Sequence, residues 1–362
     1  MTKLIRVYRP GRNNNSFGVV ADGIEEAASE HHLYAGRCDY SIPDDDQYEG
    51  ANAPVGLVCG DPGALGLCEF YGHKERVLVL AANSSHIPQP VLDSIRIRGC
   101  TRIWTPSGWS ATQIRNAMRG EGPPVEVVPH GISRVYSPVE NTEWLKQTPM
   151  FSSLRRVGVS LVHLAESSQE RKGTVELIRA FEPWVASPSI HLTLVMAPLQ
   201  AENIRTVIED LYGNAANIRV MQRWNMTPAN MRLAYQCFDA VVQPSRAEGF
   251  GLVPLEALAC GVPVLVTRST GHLQWLKHSH NFFGVVQVPV GELEPTRYDD
   301  GGLAPFVDHL QIRSALGHLI ENIDLWKTQA RANAKDILDA WNWNCVLESH
   351  FENLRKAVTG ES

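Results

Sequence analysis

Residues 239–267, DAVVQPSRAEGFGLVPLEALACGVPVLVT, decide how the chain is read. Both ends are apolar runs of strand length, 239–243 and 262–267, and a Gly-Phe-Gly turn followed by a short helix-forming segment lies between them. Short apolar runs bounded by glycine and proline read as buried strands, so the order strand, loop, helix, strand reads as one crossover of a parallel sheet. Glu248 and Glu256 stand eight positions apart on the two sides of the turn, which places both acids at the carboxyl edge of that sheet. Open α/β sheets bind their ligands at this edge. Gly249 and Gly251 let the backbone come close to a ligand, Pro254 suits the first turn of a helix, and Gly261 supplies its stop. The amides of Phe250, Gly251 and Leu252 then form a helix N-terminus, a natural cradle for a diphosphate. Two carboxylates beside an anion site need hydroxyl donors, and a nucleotide sugar brings both.

Outward from this stretch the same alternation continues. Strands are expected at 157–164, 190–197 and 218–222, with helices at 174–184, 201–211 and 228–237 between them. In the first half, 4–8, 55–59, 77–82, 102–106 and 125–131 read as strands, with helices at 19–29 and from a Ser110 cap to Met118. Strands alternating with helices predict parallel sheets with helical crossovers, and 362 residues suit two domains of ordinary size. The expected fold class is therefore α/β, with two doubly wound Rossmann-like domains facing a cleft. The pattern dissolves over 137–156, read as a linker between a domain at 1–136 and a second at 157–335, with a terminal helix over 336–362.

Composition narrows the function classes. A hydrophobic fraction of 44% with 20% charged residues is that of an ordinary globular chain. The longest purely apolar run, 77–82, is far below the ~18 residues of a spanning helix. The opening MTKLIRVYRPGRNNN lacks the features of a secretion signal, so a cytoplasmic protein is expected. The seven cysteines are odd in number and irregular in spacing, which predicts reduced, buried thiols and no zinc site. A net charge of −6 argues against a generally basic surface made for nucleic acid or anionic membrane. Arginines nevertheless gather at Arg6, Arg9 and Arg12 and again at Arg96, Arg98 and Arg102. Strand alternation over 96–98 would set Arg96 and Arg98 on one face, either as an anion-binding patch or as a solvated sheet edge.

The segment 244–263 resembles the E-x7-E signature of family-4-type retaining glycosyltransferases with the GT-B fold, and flanking features follow in that family's order. ERKGTVELIRAF (170–181) resembles the KG-x-x-x-L-I-x-A-F element, whose basic residues contact the donor diphosphate. The resemblance makes Arg171 and Lys172 the cations that neutralise the leaving group, with Arg171 standing for the family's Gly-Arg, since His163, Leu164 and Ala165 occupy that place. It implies that Glu256 accepts the ribose hydroxyls, that Glu248 holds hydroxyls of the transferred sugar, and that Gly249, Phe250, Gly251 and Leu252 line the donor. MQRWN (221–225) would hold the base through Arg223 or Trp224. In the first half, NSSHIP (83–88) makes His86 a candidate beside the donor sugar, and His130 in VVPHGIS takes the place of the asparagine in the family's P-N-G loop. TPSGW (105–109) resembles the T-x-S-x-W opening of a helix. The loop 9–18, with Arg9, Arg12, Asn14 and Ser16, stands where the family has an acceptor or phosphate loop. The terminal helix would pack back towards the first domain.

The resemblance implies a retaining transfer from a nucleoside-diphosphate sugar, most commonly a UDP-sugar, to an acceptor hydroxyl. If both arginine clusters face the cleft the acceptor is anionic: a phospholipid or glycolipid head group, a phosphorylated sugar, or nucleic acid bearing a hydroxylated base. No metal or other cofactor is expected, for Asp44, Asp45 and Asp46 stand in a loop without supporting strands. Peripheral membrane contact is compatible with this reading. Other classes use the same residues differently. A glycosidase would use Glu248 and Glu256 as its catalytic pair. A dinucleotide oxidoreductase would read GFGLVP as its fingerprint, but Pro254 occupies the third glycine's place. A nucleotide-sugar epimerase, a phosphorylase and a non-catalytic nucleotide-sugar-binding module complete the alternatives.

Overall fold

The structure is a computed structural model that describes residues 3–10, 16–39, 53–60, 72–166, 169–222, 226–277, 284–298 and 301–361, without the side chains of Ser16, Lys146 and Glu166. Arg12, Asn14, Asp44 to Asp46, Cys68, Arg223, Trp224 and the side chain of Ser16 lie outside this description. Contacts divide the chain into two compact units, Met1–Ser133 with Ala340–Ser362, and Arg134–Asp339.

The first unit contains β1 (Ile5–Arg9), α1 (Ser16–Glu30), β2 (Tyr34–Asp39), β3 (Val55–Cys59), β4 (Glu75–Val79), α2 (Gln89–Ile97), β5 (Arg102–Thr105), α3 (Gly108–Met118) and β6 (Val125–Val127). Its six strands are ordered β2-β1-β3-β4-β5-β6, all parallel. β3, VGLVC, is buried along its whole length, as a strand covered on both faces must be. α3 starts one turn before the expected Ser110 cap: the Ser107 hydroxyl accepts from the Ser110 amide. The expected strand at 96–98 is instead the end of α2, in which Leu92 and Ile95 are buried. Pro88 and Pro90 start that helix, and its helical period moves Arg96 and Arg98 off a common strand face. The half-buried β2, YAGRCD, has no apolar run and was not legible as a strand.

The second unit contains α4 (Pro149–Ser152), β7 (Val159–Glu166), α5 (Thr174–Ala180), β8 (Ile190–Met196), α6 (Pro198–Tyr212), β9 (Ile218–Gln222), α7 (Pro228–Tyr235), β10 (Ala240–Gln243), α8 (Leu252–Ala259), β11 (Val264–Thr267), α9 (His272–Leu276), β12 (Val285–Val288), β13 (Leu293–Pro295), β14 (Leu303–Pro305) and α10 (His309–Glu321). The stretch 137–156, read as a linker, carries α4 and falls in this unit. The parallel sheet runs β12-β11-β10-β7-β8-β9, so the order reverses between β7 and β10. That reversal is a topological switch point, where chains leaving neighbouring strands diverge and open a crevice. Below it lies a continuous core that includes Leu161, Leu177, Leu192, Leu265 and Leu316. Each such leucine contributes about 2 kcal/mol of burial.

The terminal region forms three helices. After α10 come α11 (Ile323–Trp341) and α12 (Trp343–Thr359), separated where the Asn342 side chain caps α12 by accepting from the Cys345 amide. Within the first unit α12 lies on α1, and the Trp343 ring occupies the space that a side chain at Gly23 would need. Five of the free thiols described are at least half-buried, whereas Cys345 on α12 is exposed, against the expectation that all were buried. Among the described residues no helix is long and apolar enough to cross a membrane.

Candidate active site

Loops leaving the carboxyl ends of β7 and β10 meet at the switch point of the second unit. The Arg246 amide donates to the Arg171 carbonyl at 2.8 Å, and the buried Arg246 guanidinium reaches Glu170 at 2.8 Å and the Pro305 carbonyl at 3.1 Å. These bonds fix Arg171 and Lys172 against the loop that holds Glu248. Gly173 makes the approach possible: its φ is 67°, and a side chain there would run into the Pro244 carbonyl. In the place of the family's Gly-Arg, His163 is wholly buried. Its Nδ1 donates to the Val242 carbonyl at 2.8 Å, and its Nε2 accepts from the Thr174 hydroxyl at 2.9 Å. Burial lowers its pKa to about 4, so this histidine is a neutral brace between β7, β10 and α5.

Glu248 is the centre of the cluster. Lys172 Nζ donates to its Oε1 at 2.6 Å, Arg171 Nη1 to its Oε2 at 3.1 Å, and the Ser245 hydroxyl to Oε1 at 2.8 Å. Its own amide donates to the Thr270 hydroxyl at 3.0 Å, and its carbonyl accepts from the Gly271 amide at 2.8 Å. Only 8% of the residue is exposed. Burial alone would raise its pKa, but Lys172 and then Arg171 outweigh it and hold the carboxyl well below the usual carboxylate range. The three residues expected to handle sugar and diphosphate are thus brought together, and in this state the two cations are engaged by the acid.

Gly249, Phe250, Gly251 and Leu252 lead directly from Glu248 into α8. Gly251 is the N-cap with φ 91°, and a side chain on it would strike the buried His272 ring. The Phe250 carbonyl accepts from Trp275 Nε1 at 2.9 Å, which anchors the turn to α9. His272 donates from Nδ1 to the Thr267 carbonyl at 3.0 Å, while its buried Nε2 has no hydrogen-bond partner beneath the glycine turn. Burial lowers the His272 pKa despite the nearby Glu248.

Glu256 sits on the same helix in a different environment. The Tyr235 hydroxyl donates to its Oε2 at 2.7 Å, and the Tyr136 hydroxyl is also hydrogen-bonded to it. Among the described residues no cation shifts it; burial raises its pKa to about 7, with the two phenols opposing the rise. The E-x7-E acids are therefore electrostatic opposites, one fixed as an ion and one close to half-protonated at neutral pH.

The other expected residues lie in the first unit, at the carboxyl edge of its sheet. Half-buried His86 follows β4, and its amide donates to the Ser84 hydroxyl at 3.0 Å. His130 follows β6, its ring 5.9 Å from that of Trp343, and burial lowers its pKa to about 3. Among the described residues, most arginines of the two clusters are drawn into local contacts. Arg9 is buried and paired with Asp22 and, at 3.3 Å, with Glu25; Arg6 lies over the Tyr8 ring. Arg96 reaches Glu121 at 3.5 Å, and Arg102 is paired with Glu75 at 3.2 Å and with Glu126. Most of these guanidinium charges are balanced by local carboxylates, so they do not argue for an anionic acceptor.

Ser245, Thr270, His272, Tyr136, Tyr235 and the Arg246–Glu170 pair escaped the sequence reading. Only Ser245, three residues before Glu248, left a local signal, of the kind that marks a serine–acid capping pair.

The chain is similar to known proteins in sequence and in fold. Over 108 residues the chain is 35% identical to a D-inositol 3-phosphate glycosyltransferase of Segniliparus rotundus, covering 28% of this chain and 23% of that one. It spans about a quarter of the length of the curated relatives it matches. The fold is similar to sucrose-phosphate synthase from Thermosynechococcus elongatus, with a TM-score of 0.72 and 13% identity over 99% of this chain and 100% of that one. It is also similar to Anabaena HepE, solved in complex with UDP and glucose, with a TM-score of 0.71 and 14% identity over 98% and 100% of the two chains. The fold is GT-B, built from two Rossmann-like units. The sequence model of the family 4 glycosyltransferases in conflict systems matches residues 113–349, well over half of the chain and the whole Glu248–Arg171–Lys172 cluster with Glu256. The chain belongs to that glycosyltransferase family.

Proposed function

We propose that the protein moves a sugar, with retention of anomeric configuration and without a metal, from a nucleoside-diphosphate sugar to an acceptor hydroxyl. One observation carries this reading: Glu248, Arg171 and Lys172 converge at the start of α8, beside the switch point. In the donor complex Arg171 and Lys172 exchange Glu248 for the diphosphate, where their charge offsets that which develops on the leaving group. Glu248, released, accepts hydroxyls of the sugar, and Glu256 accepts the ribose hydroxyls. The bond from the anomeric carbon to the diphosphate oxygen breaks, and a bond to the acceptor oxygen forms on the same face. The acceptor proton passes to the departing phosphate.

UDP-sugars are the first donors to test, because HepE was solved with UDP and glucose. A phosphorylated polyol or sugar is the acceptor class to test first, on the name of the inositol 3-phosphate relative. The experiment is a thermal-shift panel of nucleotide sugars on the full chain. A donor at 100 times its dissociation constant adds about 2.7 kcal/mol of stability. At least one donor is expected to raise the melting temperature, and Glu256→Ala to abolish that rise. No response to any donor would overturn the reading.

A further inference from the structure

The sheet of the second unit has a second edge, away from the donor-side residues. Its strands are parallel, so the loops that precede them gather opposite the loops that carry Glu248 and Lys172. Eight residues of β7 separate the two edges by roughly 25 Å. At the amino-terminal edge, a cavity of about 360 Å³ is lined by Arg156, just before β7, Arg205 on α6, and Arg219 at the start of β9. Ile208, Ile218 and Val220 supply an apolar wall, and Glu209 is the single acid in the lining. The volume lies within the range of small-ligand sites, about 300–1,000 Å³.

One of the three guanidinium groups, that of Arg219, is only partly satisfied. Arg219 Nη1 donates to the Ser153 carbonyl at 2.6 Å, but its Nε and Nη2 are buried without a hydrogen-bond partner among the described residues. The exposed Arg205 donates from Nη2 to the Val220 carbonyl at 3.3 Å. Burial, and then Arg156 nearby, lower the Arg219 pKa, yet an arginine stays charged in any protein. Three arginines against one acid give the cavity lining a net positive charge, which favours a ligand of negative charge. Three planar forks favour an oxyanion that takes several N–H bonds at once, which is the geometry of phosphate.

We propose that this cavity is a binding site for a small phosphate-bearing ligand, held by Arg219 with Arg156 and Arg205. The site is separate from the donor-side residues, and it stands whether or not the chain transfers sugar from a nucleotide.

The test is calorimetric titration of inorganic phosphate into the full chain. Arg156 and Arg205 are exposed, so Arg156→Glu with Arg205→Glu leaves the core intact. A saturable class of phosphate sites is expected in the unaltered protein that is weakened at least tenfold in that double variant and by a similar factor in Arg219→Gln. The class should persist in Arg171→Ala with Lys172→Ala. Vesicles of phosphatidylcholine with phosphatidylglycerol identify the source of the phosphate. Sedimentation with them that free phosphate competes away, and that the double variant loses, assigns it to a lipid head group. Phosphate binding without sedimentation assigns it to a soluble ligand. Absence of saturable phosphate binding, or binding unchanged by the Arg156 and Arg205 substitutions, would overturn the proposal, as would an equal response to chloride.

Discussion

Glu248 and Glu256 share one motif and nearly equal burial, yet their neighbours drive them in opposite directions. Two cations keep Glu248 ionised across any working pH. Among the described residues Glu256 has phenol donors alone, and burial raises its pKa to about 7. A raised carboxyl pKa means that the free protein is favoured below the ordinary carboxylate range and loses that contribution as pH climbs through about 7. Ligand hydroxyls reverse the preference, because they donate more strongly to a carboxylate than to a carboxylic acid. Donor binding should therefore strengthen with pH, by up to about tenfold per unit below 7, and level off above it. Calorimetric titration with an intact nucleotide sugar, whose diphosphate has no group titrating there, measures this between pH 5.5 and 8.5. A flat profile, or an unchanged slope in Glu256→Gln, would refute the assignment. The acids and the Arg171-Lys172 pair were legible because they stand in contiguous strings. Tyr136 and Tyr235 were not, because a tyrosine in a helix or loop shows its carboxylate partner only after folding brings distant segments together.

α8 is short, and its placement depends on a turn rather than on its own length. Gly251 adopts a left-handed conformation at φ 91° and lies against His272, while Gly271 presses on the backbone of Glu248 and Gly249. The strand–loop–helix–strand order was readable because apolar runs and glycines punctuate it. The seat beneath the turn was not, since His272 belongs to the next crossover. The misread strand at 96–98 has the opposite cause: IRIR alternates like a strand, but Leu92 and Ile95 set a helical period over the preceding residues. Gly251→Ala tests the turn. Left-handed strain and the collision with His272 should together cost about 3 kcal/mol. Chemical denaturation should show that loss, and the donor-induced thermal shift should disappear with it, because the amides of α8 would turn away from the ligand. Retained stability and retained donor binding would mean that the close seat is dispensable.

At the scale of the molecule, two sheets of related design occur in one chain, and the chain returns to complete the first unit with its last helix. The alternation of strands and helices made both halves legible. The return was readable only through a family resemblance, because nothing within 336–362 specifies the surface it covers. In the structure that surface is explicit: Trp343 fills the space left by Gly23 and Gly131, and Phe351 lies 6.5 Å from Trp104 and 5.7 Å from His31. Trp343 is 4% exposed, so Trp343→Ala leaves a cavity worth about 4 kcal/mol in the first unit alone. The two units should separate in their response. Hydrogen exchange from β1, β3 and β4 should accelerate by up to about a thousandfold, at tenfold for each 1.4 kcal/mol. Exchange from β7, β10 and β11 should remain unchanged, because no part of their core is altered. The nucleotide-sugar shift, arising in the second unit, should survive the substitution while transfer falls with the first unit's population of folded molecules. Equal acceleration in both sheets would show instead that the units unfold as one, and the last helix would then stabilise the donor side as much as the unit it closes.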